Sequence, residues 1–400
     1  VAVAMRHTTV PIPADALECF ERRKYEDAYQ CLIPFAKADR DLPPPEIIMA
    51  HLFRKNGANT PSTKWLERAV ASWPNDPEAY ILLAEIGLES GEVTAAQLLL
   101  EKGEKLLASF DGGARRREAL RLSTLSALAS VAKFRRDWPT VEAHLRKVLK
   151  RKPADSSAWA RLAEALFKQN RPIESLAVLK KQKAVDKGAL APEASLGRFY
   201  QEFGDMRNAE IWMDRAVTVA PNDLRTRLAV GDWALRMHRF SRASAEVTEA
   251  LRIDPSAFEA IVWRGVVALF EADYGVAEQF LARAEKIQPN STGVTINLSI
   301  ARLGQVDDSK HRDALVGAIH GLVLTSNSPE ALITYMRALC KVGRKTEAQR
   351  VLDVLKRRRH SLDASAASYL EGCAEPGGPG DPGDWPLENE GIRLKVFSLK

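Results

Sequence analysis

The chain has 400 residues, 46% of them apolar and 28% charged, which gives ample material for extensive cores and excludes a disordered or collagen-like polymer. Its net charge of +6, from 58 Lys and Arg against 52 Asp and Glu, is a mild excess and lacks the clustering of a nucleic-acid-binding protein. No apolar run reaches the roughly 18 residues of a membrane-spanning helix, and cysteines at only 19, 31, 340 and 373 exclude a disulfide framework.

The N-terminal stretch Val1-Ala-Val-Ala-Met-Arg-His has no leading Met and no signal-peptide pattern, so a processed chain, a fragment and an unusual start all stay open. The expected location is cytoplasmic. From residue 9 the chain repeats. Pro221, Pro255 and Pro289 close three similar endings 34 residues apart, and stepping back by 34 reaches Lys187 and then Pro153, which closes a fourth. Before an 11-residue insertion at 111–121, the same marker falls on Ala108, Pro74 and Arg40; after three inserted residues near 307–310, it falls on Ser326 and His360. About three units therefore span 9–110 and about seven span 122–362, followed by a capping helix over 363–372, a Gly/Pro-rich linker over 373–386 and an extended segment over 387–400.

Each unit reads as two amphipathic helices, because apolar residues recur every three and four positions. The first unit carries Pro11 and Pro13 where its first helix should begin, so that helix is expected to be short. The eighth position is small where two helices must approach: Ala16, Ala50, Ala84, Ala129, Ala163, Gly197, Gly231, Gly265 and Ser299, failing only at Met336. The twentieth is Ala or Ser everywhere except Val141. No sheet is expected.

A 34-residue helix–turn–helix with these markers resembles the tetratricopeptide repeat. The resemblance implies an all-α, right-handed superhelix of about ten repeats, without enzymatic activity, whose first helices line a groove for a peptide of a partner protein. Carried onto this chain, the groove positions include Glu164, Phe167, Arg198, Gln201, Arg225, Asp232 and Arg236 in the central units, then Val266, Phe270, Ile300 and Arg337. Neighbouring Glu202, Leu235, Val262, Leu269, Ile296 and Lys341 share those positions. The three arginines Arg198, Arg225 and Arg236 point to an acidic or phosphorylated ligand, since guanidinium forks match carboxylate and phosphate. A scaffold or adaptor follows, with the recruiting arm of a larger enzyme or secretion assembly as the alternative and nucleic-acid binding a weaker third.

Motifs for other chemistry fail on context. Gly378 to Gly383 matches a dinucleotide fingerprint in letters only, because two prolines interrupt it and no parallel-sheet unit surrounds it. The seven histidines are dispersed with no zinc spacing, and neither a nucleophile elbow nor a phosphate loop occurs. No cofactor, metal or small-molecule substrate is expected. The basic runs at 115–117, 146–152, 180–183 and 356–359 are explained most simply as helix-end cations offsetting the helix dipole, three of them at the ends of second helices. The alternating Ile392, Leu394 and Val396 read as an apolar edge that the 13-residue linker 374–386 can carry back to the groove.

Overall fold

The computed structural model describes residues 2–5, 8–289, 291–305 and 344–357, with the isolated positions 316, 332, 335, 336 and 339. The chain divides into two units, Val1–Pro192 and Glu193–Lys400. In the first, helices α1 (Ala14–Glu21), α2 (Tyr25–Ala38), α3 (Pro45–Lys55), α4 (Asn59–Ser72) and α5 (Pro77–Glu89) are followed by α6 (Val93–Ala108), α7 (Ala114–Phe134), α8 (Trp138–Arg151), α9 (Ser156–Lys168) and α10 (Pro172–Val185). The second begins with α11 (Pro192–Phe203), which opens on the boundary residue. It continues through α12 (Met206–Val219), α13 (Leu224–Arg236), α14 (Phe240–Ile253), α15 (Phe258–Phe270), α16 (Tyr274–Ile287) and α17 (Thr292–Gln305), and α18 (Lys345–Arg357) is its last described helix.

From α1 to α16, odd and even helices pair as antiparallel hairpins, and the pairing follows from side-chain size. Ala16, Ala84, Ala129 and Ala163 at the eighth position are fully buried, as are Ala28, Ala96, Ala209, Ala243 and Ala277 at the twentieth. Facing the eighth position lies a large residue at the twenty-fourth: Leu32, Leu66, Leu100, Leu145, Leu179, Met213, Val247 and Leu281 are each at most 2% exposed. A small residue on one helix thus seats a large one on its partner, which lets the axes approach as ridge-into-groove packing requires. Gly265 shows how tight this is, since a Cβ there would lie 2.6 Å from Leu281 Cγ.

The turns within hairpins share one device. Arg23, Gly57, Gly91, Arg136, Asn170, Gly204, His238 and Ala272 all occupy the fifteenth position, and all have φ between 56° and 89°. This left-handed residue reverses the chain and ends the first helix. Many helices then start on an aspartate N-cap: Asp76, Asp137, Asp155, Asp205, Asp223 and Asp273 each accept a hydrogen bond from a first-turn amide.

Two features depart from the sequence reading. A β-hairpin precedes the first repeat: β1 (Ala2–Met5) pairs antiparallel with β2 (Thr8–Pro11), Val3 opposite Val10, so the expectation of no sheet is corrected. Val3, Thr8, Thr9 and Val10 are β-branched and favour extended backbone, while Pro11 and Pro13 confine the first helix to the eight residues of α1. The inserted stretch at 111–121 is mostly helical, extending α7 to 21 residues. The capping segment, the linker, the alternating C-terminal edge, Arg337 and Lys341 lie outside the described residues.

Candidate functional site

The first helices carry the residues expected to meet a ligand. In the first unit those positions are occupied mainly by one another. The Arg54 guanidinium donates to Glu85 at 3.0 Å and to Glu89 at 2.5 Å, joining α3 to α5. His51 Nε2 lies 3.3 Å from Glu78 Oε1 across the same pair. Lys133 Nζ donates to Glu164 at 2.6 Å, so this candidate is already satisfied. Phe167 is 7% exposed and belongs to the core.

The extended start of α7 completes a buried cluster. Arg116, 8% exposed, donates through Nη2 to both oxygens of Asp76, at 2.9 and 2.8 Å, and to Glu78 Oε2 at 2.7 Å. Its guanidinium also lies 5.0 Å from the Phe110 ring centre. Burial raises the Glu78 pKa, but the Arg116 charge beside it and the His51 hydrogen bond outweigh burial and hold it down to about 2. The two acids drive the Arg116 pKa above its ordinary value in spite of burial. The loop after α2 is clamped to this element: Gly113 N donates to Arg40 O at 2.9 Å and Arg116 N to Asp41 Oδ1 at 3.0 Å. The run at 115–117 is therefore a structural anchor at the start of a first helix, and no dipole argument applies to it.

The second unit presents a different first-helix face. Arg198 on α11 and Arg225 and Arg236 on α13 are exposed, and Gln201 on α11 is half-buried. Arg198 has no hydrogen-bond or ion-pair partner among the described residues. Arg236 Nε donates to both carboxylate oxygens of Asp232 at 3.1 Å, one turn away on α13, which fixes the head of an arginine that is 38% exposed. The Arg225 amide donates to the N-cap Asp223, placing this residue in the first turn of α13.

The apolar candidates are mostly interior. Val266 is 3% and Ile300 7% exposed, and Val262, Leu269 and Ile296 are buried with them. Their positions are as expected in the repeat, but neighbouring helices cover them, so they give the face its support and offer little surface. Phe270 is half-buried and stacks on Phe240 with ring centres 5.6 Å apart. Asn297, 1% exposed, has an amide Nδ2 with no partner among the described residues and does not reach the surface.

Sequence reasoning missed a recurrent contact between neighbouring repeats. The carboxylate at the twenty-first position of one unit accepts hydrogen bonds from the next: Glu142 from Arg171 at 2.6 Å and Gln169 at 2.9 Å, Glu278 from Arg302 at 2.9 Å and Gln305 at 2.8 Å, and Glu210 from Arg239. The hydrogen bond from Arg239 lowers the Glu210 pKa, and that from Arg302 lowers that of Glu278. The signal was available as a glutamate recurring every 68 residues, at 142, 210 and 278. Among the described residues no group of three or more His, Cys, Asp or Glu is arranged to hold a metal ion, and no helix is long and apolar enough to cross a membrane.

A model of the tetratricopeptide repeat matches residues 126–188 and 228–292, and a second model of the same repeat matches 194–223. Among curated proteins, the Cellulose synthase operon protein C of Pseudomonas fluorescens (strain SBW25) is 24% identical over 246 residues, covering 58% of this chain. The chain spans only 19% of that relative's length. Similar solved structures include a tetratricopeptide repeat protein from Parabacteroides merdae ATCC 43184, at 15% identity and a TM-score of 0.36, covering 64% of this chain and 97% of that one. Pseudomonas aeruginosa PilF is similar at 15% identity and a TM-score of 0.31, covering 54% and 92%.

Proposed function

We propose, for a chain that belongs to the tetratricopeptide-repeat family, a non-enzymatic role as a protein-binding scaffold whose second unit holds an acidic or phosphorylated peptide segment. The observation that carries this reading is the exposure of Arg198, Arg225 and Arg236 on the first helices of two consecutive units, with the half-buried Gln201 one turn from Arg198 on α11. A guanidinium offers several donors in a fixed plane, so three of them on two rigid helices recognise carboxylate or phosphate groups spaced along a chain. Asp232 works against an anion but orients Arg236, so a ligand carboxylate meets a preset donor. The buried Val266 and Ile300 support the neighbouring helices and leave specificity to the charged end. With this reading goes the ten-unit division over 9–362, with 363–400 as its cap and tail.

A second reading has one observation in its favour: the curated relative is a much longer protein, of which this chain spans 19%. On that reading the repeats are the recruiting arm of a larger assembly, and the same face does the recruiting. Capture from a lysate of the source organism tests the face that both readings share. Wild-type chain and the triple variant Arg198→Ala, Arg225→Ala, Arg236→Ala are compared by mass spectrometry of what each retains. The scaffold reading expects proteins with acidic or phosphorylated segments on the wild type and their loss from the variant. Identical profiles would remove the arginines from the site.

A further inference from the structure

In the first unit, α1 to α4 line an open cavity of about 440 Å³, with Phe20, Tyr25, Phe53 and Trp65 beside Asn56, Thr60 and Lys64. Its floor is aromatic. Phe20, Tyr25 and Phe53 form a closed triangle with ring centres 4.8 to 5.3 Å apart, all tilted or edge-on, and Trp65 stands on Tyr29 at 5.2 Å. Phe20 and Phe53 are buried at 7% and 6% exposure, whereas Tyr25 and Trp65 are half-covered and keep part of their rings accessible.

The rim is polar. Asn56, Thr60 and Lys64 are exposed, and among the described residues none of the three side chains has a hydrogen-bond or ion-pair partner. The neighbouring cation on α4 differs: Arg68 lies over the Tyr29 and Trp65 rings and 3.7 Å from Glu26, so its charge is already engaged. Lys64 is the rim charge left for a ligand.

We infer that this cavity is a binding site for a single aromatic side chain bearing an adjacent carboxylate, presented by a peptide of a partner protein, with the ring on the Phe20–Tyr25–Phe53 floor and the carboxylate on Lys64. The volume falls in the lower part of the range of roughly 300–1,000 Å³ usual for small-ligand sites, enough for one large side chain and its flanking backbone. The tilted rings suit a fourth ring in edge-to-face contact. The lone cation selects an anion, and Asn56 and Thr60 supply neutral hydrogen bonds to the backbone beside it. The site lies in the first unit and does not depend on the arginine face of the second.

Saturation-transfer NMR on the full chain tests it with three probes: N-acetyl-L-phenylalanine, its C-terminal amide, and N-acetyl-L-alanine. The first is expected to receive transfer through its ring protons, the second more weakly, and the third not at all. Lys64→Ala should weaken the carboxylate probe by roughly two- to fivefold, as for an exposed ion pair, and leave the amide unchanged. Thr60→Trp, on the exposed rim where folding is not at stake, should block both aromatic probes. The inference is overturned if the wild type shows no transfer to N-acetyl-L-phenylalanine. It is overturned equally if Thr60→Trp leaves transfer intact, or if Lys64→Ala affects carboxylate and amide alike.

Discussion

Arg116 illustrates how a residue's surroundings override its neighbours in sequence. It sits in a run of three arginines, yet its guanidinium is enclosed with Asp76 and Glu78, each of the three at most 10% exposed. A buried pair gains little net stability, but breaking one leaves uncompensated charge. Arg116→Ala should therefore destabilise the first unit by about 3–5 kcal/mol, measured by denaturant unfolding, while Arg115→Ala stays within about 0.5 kcal/mol. The pH dependence has a definite sign. Glu78 has its folded pKa depressed to about 2, so the stability it contributes is complete above its ordinary value near 4.5 and is lost as pH falls from there towards 2. Asp76 is raised by burial, which outweighs Arg116, and contributes in the opposite sense as it protonates. Glu78→Gln should flatten the acid limb of the unfolding midpoint against pH. An unchanged acid limb in that variant would contradict the assignment. The glycines of the eighth position separate two effects in the same way. Gly197→Ala meets Met213 at 3.2 Å, a flexible side chain, and should gain part of the roughly 0.5–1 kcal/mol by which Ala exceeds Gly within a helix. Gly265→Ala meets Leu281 at 2.6 Å and should instead cost about 1–3 kcal/mol through overpacking. Thermal melts of the two variants should move in opposite directions.

At the scale of the helix and the hairpin, the register was legible because it rests on size. Small residues at the eighth and twentieth positions recur in the sequence; the structure buries the eighth against a large residue at the twenty-fourth, and Ala243 and Ala277 at the twentieth are fully enclosed. Leu at either position should overpack the seam and cost about 1–3 kcal/mol, read as a lower denaturant midpoint. The turn was harder to read. Gly57, Gly91 and Gly204 announce the left-handed position, but Arg23, Arg136, Asn170, His238 and Ala272 do not, because a packed hairpin imposes the conformation whatever the side chain. Left-handed backbone costs an L-residue on the order of 1–2 kcal/mol, and Gly returns part of this through its freedom in the unfolded chain. Ala272→Gly should accordingly stabilise the second unit by about 0.5–1 kcal/mol; a loss of stability would mean that the Ala272 methyl group is packing. The N-terminal hairpin was illegible for a different reason. Four-residue strands carry little periodic signal, and the repeat register claimed residue 9 onwards.

At the scale of the whole molecule, the repeat pattern conveyed much of the architecture and less of the site. Repetition made the fold readable: many copies of one packing solution average out the exceptions. A ligand site is the set of positions where copies differ, and its accessibility depends on what neighbouring repeats cover. Position alone placed Phe167, Val266 and Ile300 with Arg198 and Arg225, yet burial sets the first three apart. The cavity between α1 and α4 was invisible for the same reason, since its lining comes from four helices with no shared motif. The contacts between repeats, from Glu142 to Arg171 and from Glu278 to Arg302, are part-exposed ion pairs, individually weak because water screens them. They hold neighbouring repeats in register and leave the arginines of α11 and α13 in place for a partner. The most direct test of that assignment is a calorimetric titration of a glutamate-rich decapeptide into the wild-type chain and into the triple variant Arg198→Ala, Arg225→Ala, Arg236→Ala, at low and high salt. The account predicts binding to the wild type that weakens steeply with salt, and a loss of about tenfold or more in the variant, as expected for charge-assisted contacts. Equal affinity in both chains, or binding indifferent to salt, would contradict it.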